Sequence, residues 1–138
     1  MKTYVLALVA FLPFVAGAAD RTLDDVMKDM GPVGKFLKEN VSKAALNEEL
    51  RTKIALLQQY SNEAKTKLPK TITDLPADEQ PAKILEFRKL LLELTEAEAK
   101  VEAALLEDKN ADAQIAYDGV RAVQAKGHKI FNPPPPAP

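Results

Sequence analysis

Cysteine and tryptophan are absent from this 138-residue chain, and histidine occurs once, at position 128. Without thiols the fold has no disulfide staples and no thiolate metal sites. With one histidine, a closed zinc site is excluded, because such a site needs several His or Cys ligands. A di-iron site of the bundle type needs two Glu-x-x-His motifs, whereas Ala125 stands three positions before His128. A surplus of one charge is also missing, since 19 basic residues face 20 acidic ones. That balance does not suit a protein that gains affinity by neutralising phosphates, so nucleic acid is not an expected partner. No Gly-rich phosphate loop, nucleophile elbow or carboxylate pair with a histidine base is present, and no enzymatic activity is expected.

Long apolar runs are scarce as well. The one at residues 4–15 is broken by Pro13 and is shorter than the roughly 20 residues that span a bilayer. Lys2 precedes it and Ala16-Gly17-Ala18 follows, the charged start, apolar stretch and small-x-small site of a secretory signal. Residues 1–18 are therefore expected to be a signal peptide cleaved after Ala18, with export to the periplasm and no membrane span in the mature chain. Its removal takes away one basic residue, Lys2, and no acidic one, which leaves a net charge of −2 on 120 residues. A chain of that length can rely on an apolar core alone.

What the mature chain does contain is helical periodicity. Residues 22–41 open with Thr22 as a capping hydroxyl, and Asp24 and Asp25 lie in the first turn. There Leu23, Val26, Met27, Met30, Gly34, Leu37 and Val41 fall within about 60° of one line. Pro32 lies opposite this stripe, so a bend around the core is expected and not a break. Residues 47–67 place Leu46, Leu50, Ile54, Leu57, Ala64 and Leu68 on one face, with Tyr60 at its edge. Residues 68–81 carry Pro69, Pro76 and Pro81 and read as a loop. In residues 81–106, Phe87, Leu90, Leu94, Ala97, Val101 and Ala104 alternate in steps of three and four. After a turn at Asp108-Lys109-Asn110, residues 111–130 present Ala113, Ala116, Tyr117, Val120, Val123 and Gly127 on one side, with Phe131 following. No alternating run competes as a strand. The expected fold is all-α, an antiparallel up-down-up-down four-helix bundle over residues 19–131. Residues 132–138 are expected to form an extended, mobile Pro-rich tail.

In that topology the start of the first helix and the end of the fourth share one end of the molecule. Met27 and His128 then face each other across a gap, about a hundred positions apart in sequence, and both residue types serve as axial ligands of haem iron. Spacing by itself favours plainer readings. Met27 and Met30 on an apolar stripe also serve as core filler. A histidine near a helix C-terminus complements the helix dipole without any iron.

The residues that tip the balance are those of a family. Leu23-Asp24-Asp25-Val26-Met27 shortly after Ala18-Ala19-Asp20, the proline-bearing loop after the second helix, Glu86-Phe87-Arg88 and the late Gly127-His128-Lys129 resemble the soluble periplasmic b-type cytochromes of the cytochrome b-562 family. The likeness covers essentially the whole mature chain. It implies one non-covalent haem b per chain, with Met27 and His128 as axial iron ligands and Phe87 lining the pocket. Gln124 and Gly127 stand where a C-x-x-C-H attachment would place its cysteines, in keeping with haem b. Compared with the family, Leu91 stands for an aromatic pocket residue, Gly127 for a tyrosine and Gln124 for an arginine, while Pro32 and the tail are additions.

Two axial protein ligands leave iron no open position, so the implied function is outer-sphere one-electron transfer with a redox partner protein, performed by a monomer. Leu23, Met30, Phe87, Leu91 and Val120 are the candidate pocket lining. Two other readings stay open: a haem-free periplasmic bundle acting as a binding or stress module, and a haem carrier.

Overall fold

A computed structural model of the chain describes residues 21–43 and 45–134. The expected signal peptide lies outside the described residues, as does the end of the Pro-rich tail. The described chain forms helices α1 (Leu23–Asn40), α2 (Glu48–Ala64), α3 (Lys70–Thr73), α4 (Gln80–Leu106) and α5 (Asn110–Phe131), with no strand among them. None of these helices is long and apolar enough to cross a membrane.

The helix ends follow local chemistry. Thr22 Oγ1 accepts from the Asp25 amide at 3.2 Å, and the Asp25 carboxylate accepts from the Thr22 amide at 3.0 Å, a reciprocal capping box. The Thr22 hydroxyl also donates to the Asp25 carboxylate at 2.7 Å, and this bond together with that of the Thr22 amide holds the Asp25 carboxyl below its ordinary range. Asn47 caps α2 through its Oδ1, which accepts from the Leu50 amide at 2.8 Å. Pro81 sits in the first turn of α4, where no intrahelical amide is lost. Asp108 turns the chain into α5 with φ 56°, a left-handed conformation that aspartate tolerates. Helix α1 runs unbroken through Pro32, which is exposed, as its position opposite the apolar stripe requires.

Helix α1 packs on α2, α2 on α4 and α4 on α5, whereas α1 and α5 meet only sparsely. Arg21, just ahead of α1, pairs with Glu63 near the end of α2 at 3.2 Å and also with Asp29. Asn110 at the start of α5 donates to the carbonyl of Val41, after α1, at 3.0 Å. Across α4 and α5, Lys126 meets Glu93 at 3.1 Å.

The core departs from the expected faces at several positions. Val33 is buried on α1 in addition to Val26, Met30, Leu37 and Val41. Leu68, placed by its spacing on the buried face, is exposed, because α2 has ended and the chain has turned. The expected loop over residues 68–81 contains α3, whose Ile72 is fully buried. On α4 the buried line passes from Leu94 through Glu98 and Val101 to Leu105, leaving Ala97 and Ala104 half-exposed. Val120 is fully buried in the core rather than on a pocket wall.

Glu98 is the anomaly of this core. It is 1% exposed, accepts from Ser61 Oγ at 2.6 Å through Oε1, and has no partner for Oε2 among the described residues. Loss of hydration pushes its carboxyl up to about 7, against weaker opposing pulls from Ser61 and Lys65. Below the ordinary value of 4.5 the group is protonated in folded and unfolded chain alike. Between 4.5 and about 7 the folded chain keeps a proton that the unfolded chain releases, so stability falls as pH rises through that window. The loss amounts to at most about 3 kcal/mol. Glu98→Gln is expected to remove this slope. Urea midpoints of variant and parent should coincide near pH 4 and diverge in favour of the variant by pH 8. A constant offset across that range would contradict the assignment.

Candidate functional site

Where α1 and α5 fail to close on each other, a cavity of about 720 Å³ opens, within the range of small-molecule and cofactor sites. Its floor is set by Tyr117. The phenol reaches from α5 to α1 and donates to the Gly34 carbonyl at 2.5 Å, and Gly34 leaves room for the hydroxyl to come this near. Burial raises the Tyr117 phenol above its ordinary value of 10, so it stays a donor throughout the physiological range.

One wall belongs to α1, with Leu23, Met27, Met30 and Gly34. These residues lie along the edge of the stripe that also buries Val26 and Leu37, so one helix serves the core with one flank and the cavity with the other. The back wall is α4, with Phe87, Leu90, Leu91 and Leu94, and the facing wall is the last part of α5, with Val123, Gln124, Gly127, His128 and Phe131. Pro69 to Asp74 closes one side, so the short α3 segment belongs to the site and not to a passive linker.

Of the seven residues expected at the site, Leu23, Met27, Met30, Phe87, Leu91 and His128 line this one cavity, and Val120 does not. Met27 is half-buried and His128 exposed, on opposite walls. The end of α5 that carries His128 is anchored by Phe131. Its ring meets the Phe87 ring edge-on at 5.1 Å, and its carbonyl accepts from Thr71 Oγ1 at 2.8 Å. The Thr71 bond satisfies one of the carbonyls left unpaired at a helix C-terminus. Among the described residues no side chain hydrogen-bonds the His128 ring, which leaves its nitrogens available to a ligand.

Gly127 is fitted to a close approach. A Cβ there would stand 2.7 Å from Leu90 Cδ2, so the glycine that makes α5 locally weak gives Leu90 its place on the wall. Leu90, Leu94 and Tyr117 were legible only as core, because a pocket wall and a packed core share the same apolar spacing. Lys35, Lys38 and Arg121, also on the cavity lining, had a usable signal. Lys38 is 11 positions after Met27 and Arg121 is 7 before His128, each about 20° from its partner on the helical wheel.

Among the described residues no group of three or more His, Cys, Asp or Glu side chains is arranged to hold a metal ion. The donors that do converge on the cavity, one thioether and one imidazole, suit a metal that arrives with its remaining coordination positions already filled. The apolar walls suit the flat organic frame that would fill them. No protein-family model, curated protein or solved structure matches this chain.

Tyr117→Phe removes the bond that fixes the cavity floor while leaving the ring in place. It is expected to lower stability by about 1 kcal/mol, the usual worth of one neutral hydrogen bond, with the melting temperature as readout; an unchanged melting temperature would mean that α1 and α5 are joined by other means.

Proposed function

We propose that the chain is an exported b-type cytochrome of the periplasm, resembling the cytochrome b-562 family, that holds one haem non-covalently between Met27 and His128 and transfers single electrons. In this reading the four long helices form an antiparallel up-down-up-down bundle. The pairings of Arg21 with Glu63, Asn110 with the Val41 carbonyl and Lys126 with Glu93 support that order. Export is supported by the charged start, the interrupted apolar run and Ala16-Gly17-Ala18.

The observation that carries the reading is the convergence of the only histidine and one of two non-initiator methionines on opposite walls of one apolar cavity. Haem, when bound, supplies a one-electron iron couple. The chain's own residues do the rest. Met27 and His128 would hold the group, the thioether favouring the ferrous state more than a second imidazole would and the imidazole supplying the stronger donor. Leu23, Met30, Phe87 and Leu91 exclude water and disfavour added positive charge, which raises the potential further. Were Met27 and His128 both to hold the iron, they would leave no position for oxygen or substrate, and the chemistry supplied would be one-electron exchange with a redox partner protein at the exposed edge of the cavity.

A second reading, a haem carrier, is favoured by the exposure of His128 at the cavity edge. Rapid transfer of bound haem to a stronger acceptor would select it over electron transfer.

Titrating the haem-free protein with haem should reach an endpoint at one equivalent and, on reduction, give sharp low-spin absorption bands. Met27→Ala and His128→Ala should each broaden those bands and weaken binding at least tenfold. Spectra unchanged in both variants would reject the ligand pair, and a protein that takes up no haem would leave the haem-free binding module as the reading.

A further inference from the structure

The charges around the cavity are not evenly spread. Asp24, Lys70 and Asp74 lie toward the end where α1 begins. Lys35, Lys38 and Arg121 lie toward the Gly34–Tyr117 floor, a flank with three positive charges and no acidic lining residue. Lys35 and Lys38 have no carboxylate partner among the described residues, and Arg121 has only Asp118, at 4.0 Å. Side chains on a helix lean toward its N-terminus, so both lysines incline along α1 toward Met27. Lys35 starts about 12 Å along the helix axis from Met27, and Arg121 about 10 Å from His128. Long aliphatic stems let such cations lie along an apolar wall and keep their charged ends at the solvent edge.

We propose that Lys35, Lys38 and Arg121 form a carboxylate-binding pole of the cavity, which makes the site selective for a planar amphipathic diacid over its neutral esters. This rests on the haem reading of the same cavity and assigns the residues that meet the propionate side chains. Arg121 can engage a carboxylate in bidentate fashion, while the lysines act as point charges that draw the acidic edge toward the floor. The apolar edge is thereby directed to Phe87 and Leu91. No acidic residue on that flank competes, so each cation gains a partner on ligand binding without breaking an ion pair closer than that of Arg121.

The test compares haem with haem dimethyl ester, whose carboxylates are masked, on the full chain and on a Lys35→Gln/Lys38→Gln/Arg121→Gln variant. All three residues are exposed, so the variant should fold and melt as the parent does. The parent should bind haem about tenfold more tightly than the ester, the sum of three partly solvated charge contacts. That preference should shrink with added salt, since exposed charges are screened. The variant should bind both forms at the affinity of the ester, with the reduced absorption bands of the parent retained because Met27 and His128 are untouched. Parent-like bands with equal affinity for acid and ester, or a variant that keeps the preference, would overturn the carboxylate pole while leaving the haem reading intact. A parent that binds neither form would overturn both.

Discussion

The Tyr117 hydroxyl bonded to the Gly34 carbonyl fixes the distance between the first and last long helices, and the site follows from that constraint. Below this bond, apolar residues such as Leu37, Val41, Leu50, Ile54, Val101 and Leu105 are buried together and the helices close on one another. Above it, Gly34 and Gly127 put no side chain into the space between α1 and α5, and Leu90 lies over Gly127, so the cavity stays open. Closing the remaining gap would need larger side chains, since apolar interiors pack to high density wherever they can. Phe131, held by Phe87 and Thr71, ties the end of α5 to α4 and α3 on the far side of the gap from α1.

The long helices were legible because their ends coincide with strong local signals: the Thr22 capping box, Asn47, Pro81 and the Asp108 turn. Helix α3 was not, since a single turn has no period to detect; Pro69 read as a breaker although it is itself buried beside Ile72. On α4 a seam drawn strictly in steps of three and four runs through Ala97 and Ala104. The buried line through Phe87, Leu91, Leu94, Glu98, Val101 and Leu105 also alternates in steps of four and three, so spacing alone does not choose the flank; packing against α2, whose Ser61 bonds Glu98, turns Glu98 and Leu105 inward. A carboxylate on that line reads as exposed in any hydrophobicity pattern, so Glu98 could be found only from the packed structure.

The candidate site was legible in its residue types and not in its shape. One histidine and two non-initiator methionines reduce the choice of soft ligands to almost nothing, and the expected lining residues except Val120 share a cavity. What spacing cannot convey is that Met27 and Leu23 face an opening while Val26, one position from Met27, faces a sealed core. That difference depends on how far α5 stands away, and so on Tyr117, about ninety positions distant.

Ligation, polarity and stability then form one argument. In the proposed reading, soft donors on opposite walls would hold the iron, apolar walls would favour its reduced state, and the cationic flank would orient the acidic edge. A ligand that binds only the folded chain also stabilises the bundle by mass action, offsetting the helix contact that the cavity removes. The central claim is tested most directly by near-infrared magnetic circular dichroism of the oxidised, haem-loaded protein, which reports the identity of both axial ligands. A long-wavelength thioether-to-ferric charge-transfer band, lost on changing Met27 alone, is the result this account predicts. A bis-imidazole or high-spin signature would contradict it.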